Sequence, residues 1–180
     1  IAIFGKPNSG KSTLLNNILG FDRSLTSPIA GTTSDIVEDS YIYNNNNFKI
    51  LDTAGILKKN KIDKGDINHQ SIKMTFEMIK KVDMSLLLID CITGFDNQVK
   101  KILNIILDKS NSVIILFNKI DLVKNKKKFI LDTKLEVECT FSKSKNNSLF
   151  FLSAKNNFDV EKLKNSILLK NINNTLFYQT

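Results

Sequence analysis

The sequence predicts an α/β domain built on a mostly parallel six-stranded sheet with helices on both faces. Three observations carry that prediction. Short apolar runs alternate with amphipathic stretches, the pattern of βαβ units joined by right-handed crossovers. Four of those runs, beginning at Ile1, Met84, Val113 and Leu149, are almost continuously apolar, as strands buried on both faces of a parallel sheet are. A glycine-bounded loop separates the first run from the first amphipathic stretch.

Strands are expected at residues 1–4, 37–43, 48–52, 84–90, 113–118 and 149–153. The first helix follows from Leu14, Leu15, Ile18 and Leu19, which share one face at helical spacing. Asn44 to Asn47 lie between two strand patterns and read as a polar hairpin turn. Ile72, Phe76 and Ile79 mark a helix before the fourth strand. Val99, Ile102, Leu103 and Ile106 mark the next, and Val160, Leu163 and Ile167 the last. Residues 126–138 have a less clear period and are assigned as helix on their position between two strands.

Composition bounds the rest. The chain has 180 residues, 42% hydrophobic and 24% charged, with only 7 glycines and 2 prolines, which excludes a disordered or collagenous chain. One domain, residues 1–170, is expected, with 171–180 as a tail or the start of a linker. The net charge of +8 favours anionic partners, although the abundance of Asn, Ile and Lys reflects a compositional bias that supplies part of it. Two cysteines, Cys91 and Cys139, cannot make a disulfide framework; they suit a reducing compartment, and a cytoplasmic location is expected. No apolar run reaches the roughly 18 residues of a membrane span, so no membrane partner is expected. The chain opens Ile1-Ala2-Ile3-Phe4 without an initiator Met or a signal pattern, and is expected to be one domain of a longer protein.

Gly5-Lys6-Pro7-Asn8-Ser9-Gly10-Lys11-Ser12 fits the pattern GxxxxGK[ST], with a strand before it and a helix after it. Gly5 and Gly10 let the backbone curl so that its N–H groups point inward as an anion nest. The helix N-terminus adds the positive end of its dipole, and Ser9 and Thr13 fall within the same cradle. Lys11 can reach β- and γ-phosphates, and the Ser12 hydroxyl can ligate Mg²⁺. Three further segments bear on the base and the metal. Asp52-Thr53-Ala54-Gly55 ends an apolar strand, where a carboxylate can hold Mg²⁺ through water. Asn118-Lys119-Ile120-Asp121 ends another; guanine offers Asp121 two N–H donors that adenine lacks, so ATP would leave a buried carboxylate unpaired. Ser153-Ala154-Lys155 ends the last strand and can present a backbone N–H to guanine O6. All three fall at carboxyl ends of strands, where open α/β sheets bind ligands.

On these motifs, with Ala30-Gly31-Thr32-Thr33, the chain resembles the translation-factor-related P-loop GTPases. Within them it is similar to the bacterial Der (EngA) family, whose members carry two tandem G domains and a KH-like domain. The stretch Gly55-Ile56-Leu57-Lys58-Lys59-Asn60-Lys61-Ile62 looks like the long basic switch II of the second G domain, and Ser71 and the segment from Asp83 to Asp90 fit the same domain. The resemblance implies a three-layer, Ras-like G domain that binds GTP and GDP with Mg²⁺ and hydrolyses GTP. It implies a switch in assembly of the large ribosomal subunit, with that subunit and its rRNA as partners. A first G domain and a KH-like domain would belong to the same longer chain.

By the same resemblance Ser12 and Thr33 would ligate Mg²⁺, with Thr32 as the alternative, and Asp52 would support the metal. The Gly55 N–H would contact the γ-phosphate, Asn118 and Asp121 would read guanine, and the Lys119 stem would pack over the base. Ile56 stands where many relatives place a water-orienting Gln, and Arg23 is the chain's lone arginine. Asn8 occupies the P-loop position at which related GTPases bind K⁺, so K⁺ held by Asn8 and switch-I backbone is expected to supply the missing positive charge. The departures Ser34, Leu57, Asn60 and Asn156-Asn157 bear on switch movement and docking rather than on nucleotide contacts.

Other features have plainer readings. His69 reads as a solvated loop or helix-start residue. The lysines at 58, 59, 61 and 64 suit RNA phosphates, whereas Lys124 with Lys126, Lys127 and Lys128, and Lys143 with Lys145, read first as solvated faces. A GTPase of tRNA modification and a nucleotide-gated binding module with little turnover remain alternative readings.

Overall fold

Residues 1–20, 38–52, 77–110, 112–140 and 148–177 are described by the computed structural model. They form β1 (Ala2–Phe4), α1 (Lys11–Leu19), β2 (Glu38–Tyr43), β3 (Asn46–Asp52), β4 (Ser85–Asp90), α2 (Asn97–Lys109), β5 (Val113–Asn118), α3 (Lys126–Thr140), β6 (Ser148–Phe151) and α4 (Val160–Phe177). The strand order is β2-β3-β1-β4-β5-β6, parallel throughout except for the β2–β3 hairpin. The chain leaves β1 toward one edge and returns from β3 to β4 on its other side. The carboxyl end of β1 is therefore the point where connections diverge, and a crevice opens there.

Strand alternation sorts the core into two layers. Ile3, Leu86, Leu88, Ile114 and Leu116 face α1 and α4, meeting Leu14, Ile18, Leu163 and Ile167. Phe4, Leu87, Ile89, Ile115 and Phe117 face the other way, against Ile79, Val99, Leu103, Ile106 and Val137. Phe117 stacks on Phe151 at a ring separation of 5.0 Å and meets Phe95 edge-on at 5.5 Å. The weak period of α3 has its cause here: only Thr133 and Val137 of that helix are buried. No described helix is long and apolar enough to cross a membrane.

Two expectations need correction in detail. The polar turn at 44–47 is tighter: Asn44 (φ 47°) and Asn45 (φ 62°) alone make it, and Asn46 and Asn47 already pair in β3. Two successive positive φ values match the right-handed twist of the flanking strands, and Asn tolerates them. The last strand ends at Phe151, although Leu152 N–H still donates to Phe117 O, and the residues of β6 are only half-buried because it lies at the sheet edge. The last helix runs past residue 170, to Phe177. Residues Thr32, Thr33, Gly55, Ile56, Lys58, His69, Ile72, Phe76, Lys143 and Lys145 lie outside the described residues.

Leu103, fully buried between α2 and the sheet, tests the core. Leu103→Ala is expected to lower stability by about 2–5 kcal/mol, read as a lower urea midpoint. The same change at Leu131, which is 59% exposed, is expected to stay within about 0.5 kcal/mol.

Candidate functional site

The loop after β1 is held in a shape that side chains resist. Gly5 has φ 151°, and a Cβ there would lie 2.3 Å from the Leu88 carbonyl oxygen. Gly10 has φ 99°, and a Cβ there would lie 2.2 Å from Asn118 Nδ2. Between them Asn8 takes φ 63°. Gly10 is the N-cap of α1 and offers no side-chain oxygen, so the first N–H groups of the helix stay available for an anion. Lys11 Nζ donates to the carbonyls of Gly5 (2.9 Å) and Lys6 (2.7 Å), which draws the loop around its own ammonium. Lys6 forms an ion pair with Asp96, which also accepts from Val99 N–H (2.9 Å) and caps α2. The Lys6 ammonium beside it holds the Asp96 carboxyl below its ordinary range.

The carboxyl end of β5 clamps this loop. Asn118 is 2% exposed; its Nδ2 donates to Ser9 O (2.8 Å) and its Oδ1 accepts from Ala154 N–H (2.9 Å). Asn17 of α1 donates to Ala154 O on the same segment. Lys119, with φ 67°, turns its ammonium back onto Asn8 O (2.9 Å) and Asp90 Oδ2 (2.6 Å). The second oxygen of Asp90 accepts from Ile92 N–H at 2.8 Å. A short turn follows, in which Asp121 presents Oδ1 as a buried acceptor with no hydrogen-bond partner. A native fold rarely leaves a carboxylate oxygen so. The oxygen therefore awaits a donor from a ligand.

One cleft of about 560 Å³ joins these parts. Of the residues expected to bind, it is lined by Gly5, Asn8, Gly10, Lys11, Ser12, Thr13, Asn118, Lys119, Asp121, Ser153, Ala154 and Lys155. Ser9 is buried beneath it rather than along it. Asp52 ends β3 and pairs in register with Ile3, next to the loop strand, and only its backbone is described. Thr33 and Gly55 lie outside the described residues. Ala154 N–H is committed to Asn118 Oδ1 and Ser153 N–H to Phe158 O.

Sequence reasoning overlooked Asp90, the Lys6–Asp96 pair and Leu122, which lines the cleft beside Asp121. The carboxyl-end rule reaches Asp90, which sits directly opposite Asn118 in the β4–β5 register. No local signal pairs Lys6 with Asp96, because their contact spans 90 residues.

A phosphate cradle at the head of α1, opening into a cleft that ends at an unpaired buried carboxylate, defines a P-loop nucleotide-binding domain. The chain belongs to the 50S ribosome-binding GTPase family, whose model matches residues 1–119. It is 34% identical over 169 residues to GTPase Der of Kosmotoga olearia, covering 94% of this chain and 38% of that protein. It is 38% identical over 163 residues to GTPase Der of Mycoplasma mycoides, covering 91% of this chain and 37% of that protein. The chain thus spans less than two fifths of the length of these relatives. Among solved structures it is similar to Era in complex with MgGDPNP and nucleotides 1506–1542 of 16S ribosomal RNA, with TM-score 0.70, 29% identity and coverage of 93% of this chain and 54% of that one. An Aquifex aeolicus Era variant bound to GDP·AlF4⁻ gives TM-score 0.69 and 34% identity, over 93% and 55% of the two chains.

The geometry makes Gly10 and Asp90 informative. Gly10→Ala is expected to abolish GDP binding by calorimetry, since its Cβ and Asn118 Nδ2 claim one space. Asp90→Asn keeps an acceptor for Ile92 N–H but removes the charge facing Lys119. It is expected to weaken GDP binding about tenfold with little change in melting temperature.

Proposed function

We propose that this chain is the G domain of a longer protein that hydrolyses GTP to GDP and phosphate and acts as a switch in assembly of the large ribosomal subunit. The single observation that carries the base assignment is the buried, unpartnered Oδ1 of Asp121 at the end of the cleft. Guanine supplies the N1–H and N2–H donors that this carboxylate lacks, and adenine does not. The family and the Der relatives support hydrolysis and the ribosomal role. The Era complex with ribosomal RNA supports an RNA partner, here the large subunit and its rRNA. Assignment to the second G domain, beside a first G domain and a KH-like domain, rests on the switch-II pattern from Gly55 to Ile62. A cytoplasmic location rests on the two free cysteines.

The residues fit a magnesium nucleotide. Among the described residues no cluster of His, Cys, Asp and Glu is arranged as a metal cage. Ser12 instead offers one exposed hydroxyl at the phosphate cradle, which suits an ion that keeps several waters and takes phosphate oxygens. Mg²⁺ held there would supply positive charge to the phosphates. Lys11 adds its ammonium to the same phosphates, and the α1 N-terminus presents its N–H groups. Thr33, Asp52 and the Gly55 N–H are assigned their metal and γ-phosphate roles by family position. Asn8 is exposed at the cleft, and its side-chain amide makes no hydrogen bond among the described residues, which fits a K⁺ ligand. With Ile56 unable to orient water, K⁺ beside Asn8 takes the place of an arginine finger.

Two measurements test this reading. Asp121→Asn exchanges an acceptor for a donor, so GDP affinity is expected to fall at least ~100-fold while xanthosine diphosphate gains. Unchanged preference for GDP would remove the base assignment. Single-turnover GTP hydrolysis is expected to be faster in K⁺ than in Na⁺ at matched ionic strength, and Asn8→Ala is expected to erase the difference; equal wild-type rates would overturn the K⁺ role.

A further inference from the structure

A second hollow, of about 440 Å³, shares Asp121 and Ser153 with the nucleotide cleft. Lys126, Asn156, Asn157 and Phe158 line it as well. Its volume falls in the range of small-molecule sites. The rim is unusual for a solvated face: Phe158 is 54% exposed. Its backbone is nonetheless fixed, because Phe158 N–H donates to Ser153 O at 3.0 Å and Ser153 N–H donates to Phe158 O at 3.2 Å. Asn157 (φ 54°) and Asp159 (φ 58°) on either side hold the sharp turn that pushes the ring outward. A ring carried on a fixed backbone loses less entropy when something flat stacks on it.

The charged residues lining the hollow are Lys126, Asp121 and Asp159, and further lysines adjoin Lys126 in sequence. Lys124, Lys126, Lys127 and Lys128 are all exposed, and none makes an ion pair among the described residues. Asn125 sits among them with its side chain capping Lys128 N–H at 3.1 Å, so the lysines occupy a defined turn at the head of α3. Of the two carboxylates in the lining, Asp159 is paired with Lys162 at 2.7 Å and Asp121 also borders the nucleotide cleft. Lys126 beside an exposed aromatic ring and two amide side chains, with Lys124, Lys127 and Lys128 adjoining it along the chain, matches a partner that carries flat bases and phosphates together.

We propose that this hollow and its lysines form a single-stranded RNA-binding surface: a splayed base enters against Phe158, and the flanking phosphates lie on Lys124, Lys126, Lys127 and Lys128. The Asn156 and Asn157 amides meet the base edge. The surface is separate from the guanine cleft, yet Asp121 and Ser153 border both. An RNA base and a guanine nucleotide would therefore border the same two residues. The proposal rests on the RNA partner proposed above and names where that RNA sits.

The test is binding of a fluorescein-labelled oligouridylate to the full-length protein with GDP present, followed by fluorescence anisotropy across a salt series. Phe158→Ala is expected to weaken binding about 5- to 100-fold with the salt slope unchanged, because it removes one stacked base. Replacing Lys126, Lys127 and Lys128 together by Gln is expected to reduce the salt slope by about 2. GDP affinity should be unchanged in both variants, which separates loss of the surface from loss of the fold. RNA binding that survives both variants overturns this surface while leaving RNA as a partner elsewhere. Wild-type protein that binds no oligouridylate overturns both readings. Loss in the lysine variant alone overturns the base pocket, and displacement of the probe by polyglutamate as readily as by unlabelled RNA overturns RNA as the occupant.

Discussion

The carboxyl edge of the sheet is held together by one buried amide. Asn118 donates to Ser9 O in the loop after β1, accepts from Ala154 N–H in the loop after β6, and through its own carbonyl accepts from Cys91 N–H after β4. Both ends of the side chain are satisfied, so its burial carries no unpaired polar group. Loops from three strands, far apart in sequence, thereby acquire fixed positions relative to one another. The same amide leaves room only for a glycine at position 10, which in turn leaves the head of α1 uncapped. Phosphate cradle and base pocket are thus consequences of a single contact.

Around that clamp the charges are arranged along the cleft. The phosphate end gathers Lys11, whose ammonium sits on loop carbonyls, and the N-terminus of α1. The base end carries the carboxylate of Asp121. Lys119 spans the two: its backbone adopts the left-handed conformation that starts the turn to Asp121, and its ammonium returns to Asn8 O in the phosphate loop. Asp90 and Asp96 neutralise the two lysines that would otherwise crowd the loop with positive charge. The two ends of the cleft are therefore joined through hydrogen bonds.

The loop from Ser153 to Phe158 serves two faces at once. Its start borders the nucleotide cleft, and its closed turn carries the exposed ring above the second hollow. Its position depends on β6 being an edge strand that ends early. Leu152 N–H still donates to Phe117 O of β5, and beyond it Ser153 pairs with Phe158, so the chain folds back on itself before entering α4. Asn17 on α1 pins the same segment from below. Nothing in this arrangement needs a large movement to bring a base reader and a neighbouring surface into contact.

The order of elements, both helix-bearing faces and the phosphate loop were legible in the chain itself, because each rests on local periodicity or a short motif. Leu86 and Leu87 alternate into opposite layers as their strand demands, and Gly5 and Gly10 stand where the backbone must take positive φ. Local signals also placed Asn118, Asp121 and Ser153 at strand ends. They did not show which groups would meet. The Lys6–Asp96 pair, the Asp90–Lys119 contact and the Asn118 bridge join residues tens of positions apart, and only the order of strands in the sheet brings them together. The same holds for the half-burial of β6, which follows from its place at the edge and not from its apolar sequence. The sequence by itself determined what could bind a phosphate and read a base; the tertiary structure decided which atoms remained unpaired to do so, because hydrogen-bond satisfaction depends on neighbours that lie distant along the chain.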